Sequence, residues 1–281
     1  NIDRFLTTRF ILIDLFIMNK NEFDIIRDYF STPELSFEQE SIDLGIGDDA
    51  ALIRVPNANN LSISTDVLVE GIHFPTSAIP SQIAKRALSV NLSDLAAMAA
   101  KPCFFTLGLI LPTAHEDWLS EFSAGLGEIA QRYRISLIGG DLSKGPTTVA
   151  IQVHGLSPID KAVRRDGANI GDELFVTGPL GEGAIGLLCV GGESHLGSSF
   201  NFLSDPPKKI RNYFEDAYYQ PTPRIDFALS CRDYISSAID ISDGLVGDLK
   251  HLVKASGTGA IIEVERIPVS SEAKCCMTAD N

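Results

Sequence analysis

Apolar runs that end on an acid recur along this chain, with helical segments between them. That recurrence restricts the fold more than any other feature. Leu61–Thr65 (LSIST) reads as a short strand that stops at Asp66. Ile135–Asp141 (ISLIGGD) is a strand closed by two glycines and an acid. Ser237–Ile241 is a third, running through Asp240 into Ser242, Asp243 and Gly244. Cys103–Leu111 and Thr147–Gly155 read as further strands. Between them, Ser81–Ala100 and Trp118–Arg134 have the helical period, with Ile83, Ala84, Ala87, Leu88 and Leu92 forming the stripe of the first. Strands alternating with helices predict an α/β fold, and ligands in such folds gather where strands end.

The remaining segments fill in the plan. Asn21–Tyr29 reads as a helix, and the polar stretch after it, from Ser31, as a flexible lid. Ser81 is placed to cap its helix. Arg164 and Arg165 precede DGANIGDELFVTG and mark the opening of a second domain, with strands expected at Glu173–Thr177 and Gly259–Val264. GPLGEGAIG (Gly178–Gly186) lacks the Lys-Ser/Thr ending of a phosphate-binding P-loop and reads as a tight turn into a helix N-terminus, a place that suits an anion. Helices are expected at Ile225–Tyr234 and from Leu245, and a variable loop at Gly191–Asn201 with a solvated His195. Residues 1–17 read as an upstream extension or a helix that packs on the body. The apolar run Phe10–Ile17 is too short to span a membrane. Domains are therefore expected at 18–160 and 161–281.

Charge narrows the chemistry. The chain of 281 residues carries 23 Lys and Arg against 37 Asp and Glu, a net charge of -14, which disfavours a broad nucleic-acid surface. The five cysteines have no thiolate-metal spacing and fit a reducing, cytoplasmic setting. The acids that end apolar segments are Asp49, Asp66, Asp94, Asp141, Asp240 and Asp243. Of the adjacent pair Asp48 and Asp49, only one would enter a given site, since neighbours in an extended segment face opposite ways. Asp94 sits unexpectedly within an apolar helix, three residues after Asn91. Ser64 and Thr65 add hydroxyls beside Asp66. Oxygen ligands without a His/Cys set suit magnesium rather than zinc. Carboxylates sharing a site repel unless a cation neutralises them. Cations of that kind hold polyphosphates, so phosphoryl transfer is the natural reaction class. Gly139 and Gly140 admit close approach by a phosphate or by neighbouring backbone. One arginine of the Arg164–Arg165 pair could hold phosphate through its planar fork.

The motifs GIGDDAAL (Gly45–Leu52), STDVLVEGIHF (Ser64–Phe74), KRALSVNLSDLAAMAAKP (Lys85–Pro102), LIGGDLSKGP (Leu137–Pro146), RRDGANIGDELFVTG (Arg164–Gly178) and AIDISDGLVGDL (Ala238–Leu249) occur in this order. Together they resemble the thiamine-monophosphate kinase family, within the aminoimidazole-ribonucleotide-synthetase-like ATP-binding superfamily. The resemblance covers about Met18 to Pro268. It implies a two-domain α/β fold and a homodimer whose N-terminal sheets pair into a barrel. It also implies ATP and thiamine monophosphate as substrates and direct in-line transfer of the γ-phosphoryl group. By the same resemblance Asp49, Ser64, Thr65, Asp66, Asp94, Asp141, Asp240 and Asp243 would hold magnesium, with Asp66, Asp94 and Asp141 central to catalysis. Arg165 and Ser242 would contact ATP phosphates, with Gly140 nearby, and His73 would contact thiamine phosphate. The family continues after its IPVS-like segment into a Gly-Gly-Glu-Asp-Tyr-Glu motif, whereas here IPVSSEAK runs to CCMTADN. The C-terminal domain is therefore expected to be incomplete on its substrate side. Two alternatives remain: another ATP-dependent synthetase of the superfamily, and a catalytically degenerate nucleotide-binding dimer.

Overall fold

The computed structural model describes residues 21–191 and 206–276. The extension at 1–17 and the loop carrying His195 lie outside them. A four-stranded sheet dominates the N-terminal half. Its strands are β3 (Asn59–Val69), β4 (Lys101–Leu111), β5 (Ser136–Lys144) and β6 (Thr148–Pro158), in the order β3-β6-β4-β5. β6 pairs antiparallel with β3 and with β4, while β4 and β5 are parallel. The parallel pair is joined by α3 (Glu116–Tyr133), as a crossover must be. A smaller ladder joins β1 (Ile42–Leu44) to β2 (Leu52–Ile53).

One sheet face packs on α2 (Pro80–Ala97) and α3. Alternate residues Phe105, Leu107, Leu109 and Leu111 of β4 and Val149, Ile151 and Val153 of β6 are buried there with Leu88, Leu92, Leu95, Phe122 and Leu126 of the helices. Each such side chain removed from water contributes about 1.5–3 kcal/mol. The other face is partly open, with Leu61, Ile63 and Val67 exposed. Within one chain the sheet is not closed into a barrel.

A second, smaller core joins α4 (Glu182–Cys189), α5 (Lys208–Tyr219) and α8 (Ser271–Cys276) through Ile185, Cys189, Phe214, Ala273 and Cys276. Two more helices, α6 (Ile225–Cys231) and α7 (Leu245–Ser256), complete this half. α6 packs back on α2, its Ile225 and Ala228 joining the first core.

Several expectations are corrected. The first strand does not stop at Asp66. It continues to Val69, because Val67, Leu68 and Val69 go on pairing with Ala150, Val149 and Thr148. The segment after α1 (Glu22–Ile25) and its π-turn (Ile26–Phe30) is no free lid. Leu35 is buried and its carbonyl accepts from the Leu137 amide at 2.7 Å, while the Ser136 hydroxyl ties down Phe37. Ser81 does not cap α2. Pro80 occupies the first turn, and the Ser81 hydroxyl donates to Glu121 instead. Strands expected at 173–177, 237–241 and 259–264 form no ladder. A strand needs a neighbour to satisfy its backbone groups, and these segments find none among the described residues. Phe175 and Ile261 are accordingly 76% and 92% exposed. No helix among the described residues is long and apolar enough to cross a membrane.

Candidate active site

Strand β3 alternates apolar and polar side chains, so Ser62, Ser64 and Asp66 share the helix-packed face with Leu68. α2 crosses that face, and Asn91 and Asp94 lie one turn apart on it. The Ser64 hydroxyl donates to Asp94 Oδ2 at 2.6 Å. Buried Asn91 donates to the Ala87 carbonyl at 2.8 Å and accepts from the Asp66 amide at 3.0 Å. Asn91 thereby satisfies a backbone donor on the unpaired edge of β3 and fixes the register of strand against helix.

A cleft of about 720 Å³ opens beside this contact. Ser64 and Asp94 line one side, Arg165 and Asp240 the other. Burial pushes the Asp240 carboxyl above its ordinary range, and nearby Asp94 pushes it further, against the Ser93 hydroxyl and the Arg165 guanidinium. Asp66 is raised for the same two reasons, burial first and Asp94 second, with His73 pulling it down. Three carboxylates thus share one under-neutralised region. Their all-oxygen chemistry, with the Ser64 hydroxyl beside them, fits a hard divalent cation. Among the described residues, no three His, Cys, Asp or Glu side chains converge tightly enough to hold a metal as they stand.

The arginine pair divides its work. Arg164 makes a bidentate pair with Asp166, at 2.9 and 2.6 Å. The Arg165 carbonyl accepts from the Ser237 and Ser256 hydroxyls at 3.0 and 2.7 Å, so the backbone behind its side chain is pinned. Arg165 is therefore the arginine left to face an anion in the cleft.

Other expected residues are placed elsewhere. The Thr65 side chain lies on the opposite sheet face, where its hydroxyl accepts from Gln152 at 3.0 Å. Strand alternation separates it from Ser64 and Asp66, which corrects the expectation of three oxygens side by side. Asp141 sits on β5, the far edge of the sheet from β3, beside Gly108 and exposed on the open face. Gly140 answers to neighbouring backbone: a Cβ there would come within 2.0 Å of the Leu107 carbonyl oxygen. Asp49 is exposed on the turn between β1 and β2, outside the cleft lining. Ser242 and Asp243 are exposed in the loop before α7, also outside that lining. His73 is exposed in the loop after β3, and its Nδ1 accepts from the Val69 amide at 3.0 Å.

Two residues of this region escape sequence reasoning. Asp248, 5% exposed, accepts through one oxygen from the amides of Ser242, Asp243 and Gly244. It holds the loop that carries the expected phosphate ligands. The spacing from Ser242 to Asp248 was the available signal, since an acid in the first turn of a helix readily accepts from the amides that precede it. The Ser93 side chain favours the charged form of Asp240 across the two halves. Nothing in its neighbourhood separates it from an ordinary helix serine.

Residues 47–157 match the AIR synthase related protein N-terminal domain, and residues 169–279 its C-terminal domain. The thiamine-monophosphate kinase of Salmonella typhimurium is 42% identical over 249 residues, covering 89% of this chain and 73% of that protein. The crystal structure of thiamine-monophosphate kinase from Stenotrophomonas maltophilia superposes with a TM-score of 0.77 at 36% identity, over 86% of this chain and 75% of that one. A structure of AaThiL complexed with AMPPCP and TMP superposes at 0.69 with 32% identity, over 90% of this chain and 76% of that one. The fold is thus the two-domain α/β architecture of AIR synthase relatives.

Proposed function

The chain belongs to the thiamine-monophosphate kinase family, and from that membership we infer that it transfers the γ-phosphoryl group of ATP to thiamine monophosphate, giving thiamine diphosphate and ADP. The observation that carries the reading at the level of residues is the cleft in which Ser64, Asp94, Asp240 and Arg165 face one another. That arrangement suits a polyphosphate accompanied by cations, and AMPPCP and TMP occupy the related AaThiL structure.

Asp66, Asp94 and Asp240, with the Ser64 hydroxyl, would hold magnesium. When bound, it would neutralise charge on the phosphate oxygens and so favour attack by another anion. Asp49 and Asp243 are further candidate ligands on exposed turns. Arg165 would orient ATP phosphates from the opposite wall, assisted by the Ser242 hydroxyl. The acceptor is a phosphate already ionised near neutral pH, so no general base is required of the protein. His73 Nδ1 is engaged by the Val69 amide, which leaves Nε2–H as the donor for the acceptor phosphate. Alignment and charge neutralisation supply the rate.

A homodimer completes the reading. Exposed Leu61, Ile63 and Val67 give the open sheet face a surface suited to a second copy. Asp141, on the opposite edge and face from the acidic cluster, would then serve the site of the other protomer.

The test is direct. Folded protein incubated with ATP, magnesium and thiamine monophosphate should yield thiamine diphosphate and ADP in equal amounts. ATP binding without turnover would instead assign a degenerate nucleotide-binding protein, and release of inorganic phosphate on making a new bond a synthetase.

A further inference from the structure

The loop that carries His73 is tied to the C-terminal half by Tyr218. Within the loop, the Val69 carbonyl accepts from the Ile72 and His73 amides at 3.2 and 2.8 Å, and the Gly71 amide donates to the Phe74 carbonyl at 2.8 Å. These bonds close a local turn and set the His73 backbone. The Tyr218 hydroxyl, at the C-terminal end of α5, then donates to the His73 carbonyl at 2.6 Å. Tyr218 is 3% exposed, so its ring is fixed by packing and the bond is partly shielded from water.

Arg86 of α2 holds Tyr218 in turn. Its guanidinium carbon lies 3.9 Å from the Tyr218 ring centroid, and its Nη1 donates to the Tyr218 carbonyl. Burial disfavours the Arg86 cation, while the two neighbouring tyrosines oppose that effect. Its Nε is buried without a hydrogen-bond partner. The arrangement keeps a cation against an aromatic ring, an interaction that strengthens with desolvation, where a carboxylate would ordinarily be expected. α2 is the same helix that presents Asn91 and Asp94 to β3. Arg86 therefore references the His73 loop to the helix that carries the acidic cluster.

We propose that Arg86 and Tyr218 are positioning residues that fix His73, and so the acceptor phosphate, relative to the acidic cluster. The inference rests on the assignment of His73 to the acceptor. Neither residue touches substrate. Tyr218 acts through the His73 carbonyl and Arg86 through Tyr218.

Tyr218→Phe tests it, because the ring, its packing and its contact with Arg86 are kept while the hydroxyl is lost. Two readouts apply: hydrogen exchange of the segment 69–74, and the separate KM values for thiamine monophosphate and ATP. Loss of one partly buried neutral hydrogen bond should raise the acceptor KM about three- to tenfold, leave the ATP KM unchanged, and speed exchange in the loop. Arg86→Met, which keeps the stem and removes the cation, should shift the same KM in the same direction. His73→Asn is measured alongside. Unchanged loop exchange in Tyr218→Phe overturns the proposal. So does faster exchange with both KM values unchanged while His73→Asn raises the acceptor KM. An unchanged acceptor KM in His73→Asn sinks the His73 assignment itself, and the proposal with it. A general loss of fold would lower the melting temperature and move both KM values together, which also counts against positioning.

Discussion

Replacing Asp248 by alanine removes one carboxylate oxygen that accepts from three consecutive amides: Ser242, Asp243 and Gly244, at 3.0, 3.1 and 3.1 Å. Three amides turned toward one point form an anion-binding concavity, here filled by the protein's own side chain. Gly244 contributes by holding φ 114° and ψ 152°, a conformation that strongly favours glycine. Hydrogen bonds to a charged group contribute about 1.5–3 kcal/mol each when the unsatisfied donor stays buried. Ser242, Asp243 and Gly244 are exposed, so water replaces part of what is lost. About 1 kcal/mol per bond is the appropriate scale, or roughly 3 kcal/mol for Asp248→Ala. Asp248→Asn keeps an acceptor and loses the charge, so it should cost about half as much. Amide exchange in a peptide spanning 240–250, followed by mass spectrometry, reads the loop directly, and chemical denaturation reads the free energy. Asp248→Ala should speed exchange at 242–244 and lower turnover, because Asp240, Ser242 and Asp243 lose their frame. Native exchange in that peptide, with stability within about 0.5 kcal/mol of the parent, would refute the reasoning.

Three more expectations concern the sheet. Gly140→Ala drives a methyl against the Leu107 carbonyl, 2.0 Å away, and should cost about 1–3 kcal/mol in denaturation as β4 and β5 separate; an unchanged midpoint would contradict the close approach. His154 is buried with its Nδ1 unpaired, and burial lowers its pKa from the ordinary 6.5, opposed by the nearby Phe104 backbone. The unfolded chain then binds the proton more readily than the fold, so the His154 contribution is full above about pH 6.5 and is lost as pH falls toward the folded value. Denaturation midpoints should fall more steeply below that pH in the parent than in His154→Leu, and parallel profiles would exclude the assignment. Mixing inactive Asp66→Asn and Asp141→Asn proteins should restore up to about a quarter of parental turnover if each site draws on two protomers, since half the dimers are mixed and one of their two sites is intact. No recovery after verified subunit exchange would confine Asp141 to its own chain, or remove it from the site.

Much of the N-terminal sheet was legible in the sequence because its strands carry their own patterns. β4 and β6 are long apolar runs, and β5 opens on the apolar SLI, although it continues past the double glycine and Asp141, where an end was expected, to Lys144 because those residues go on pairing with β4. The alternation of β3 was legible too, but the acid at position 66 suggested an end where the strand continues. A charged residue ends a strand only when its face is meant to be dry, and here that face looks onto a cleft. The same alternation separates Thr65 from its neighbours, which local reading of STD as one cluster overlooks. Asp94 stood out because an acid within SVNLSDLAAMAA requires a partner, and Ser64 is that partner. Arg86 and Tyr218 left no such signal. They lie 132 positions apart and meet only when α5 reaches α2, so nothing in the neighbourhood of either residue anticipates the contact. The strands expected at 173–177 and 259–264 have strand-like composition, yet composition cannot supply the neighbour that a ladder needs.

The sheet order also dictates a sequence of assembly. β4, α3, β5 and β6 follow one another between residues 101 and 158, so their pairings close short loops and can form early. β3 comes first of the four in the chain but, among the described residues, has only β6 as a partner, with Asn59 set against Pro158 and Val69 against Thr148. Its docking must wait for the last strand to be made, and it bears the loop-closure entropy of all the chain between. A ribosome-bound chain that has just released β5 therefore holds a folding nucleus whose future acidic cluster is still split, with Asp94 on a helix and Ser64 and Asp66 on an unpaired segment. Ser64 and Asp66 reach Asp94 only when β3 docks on β6.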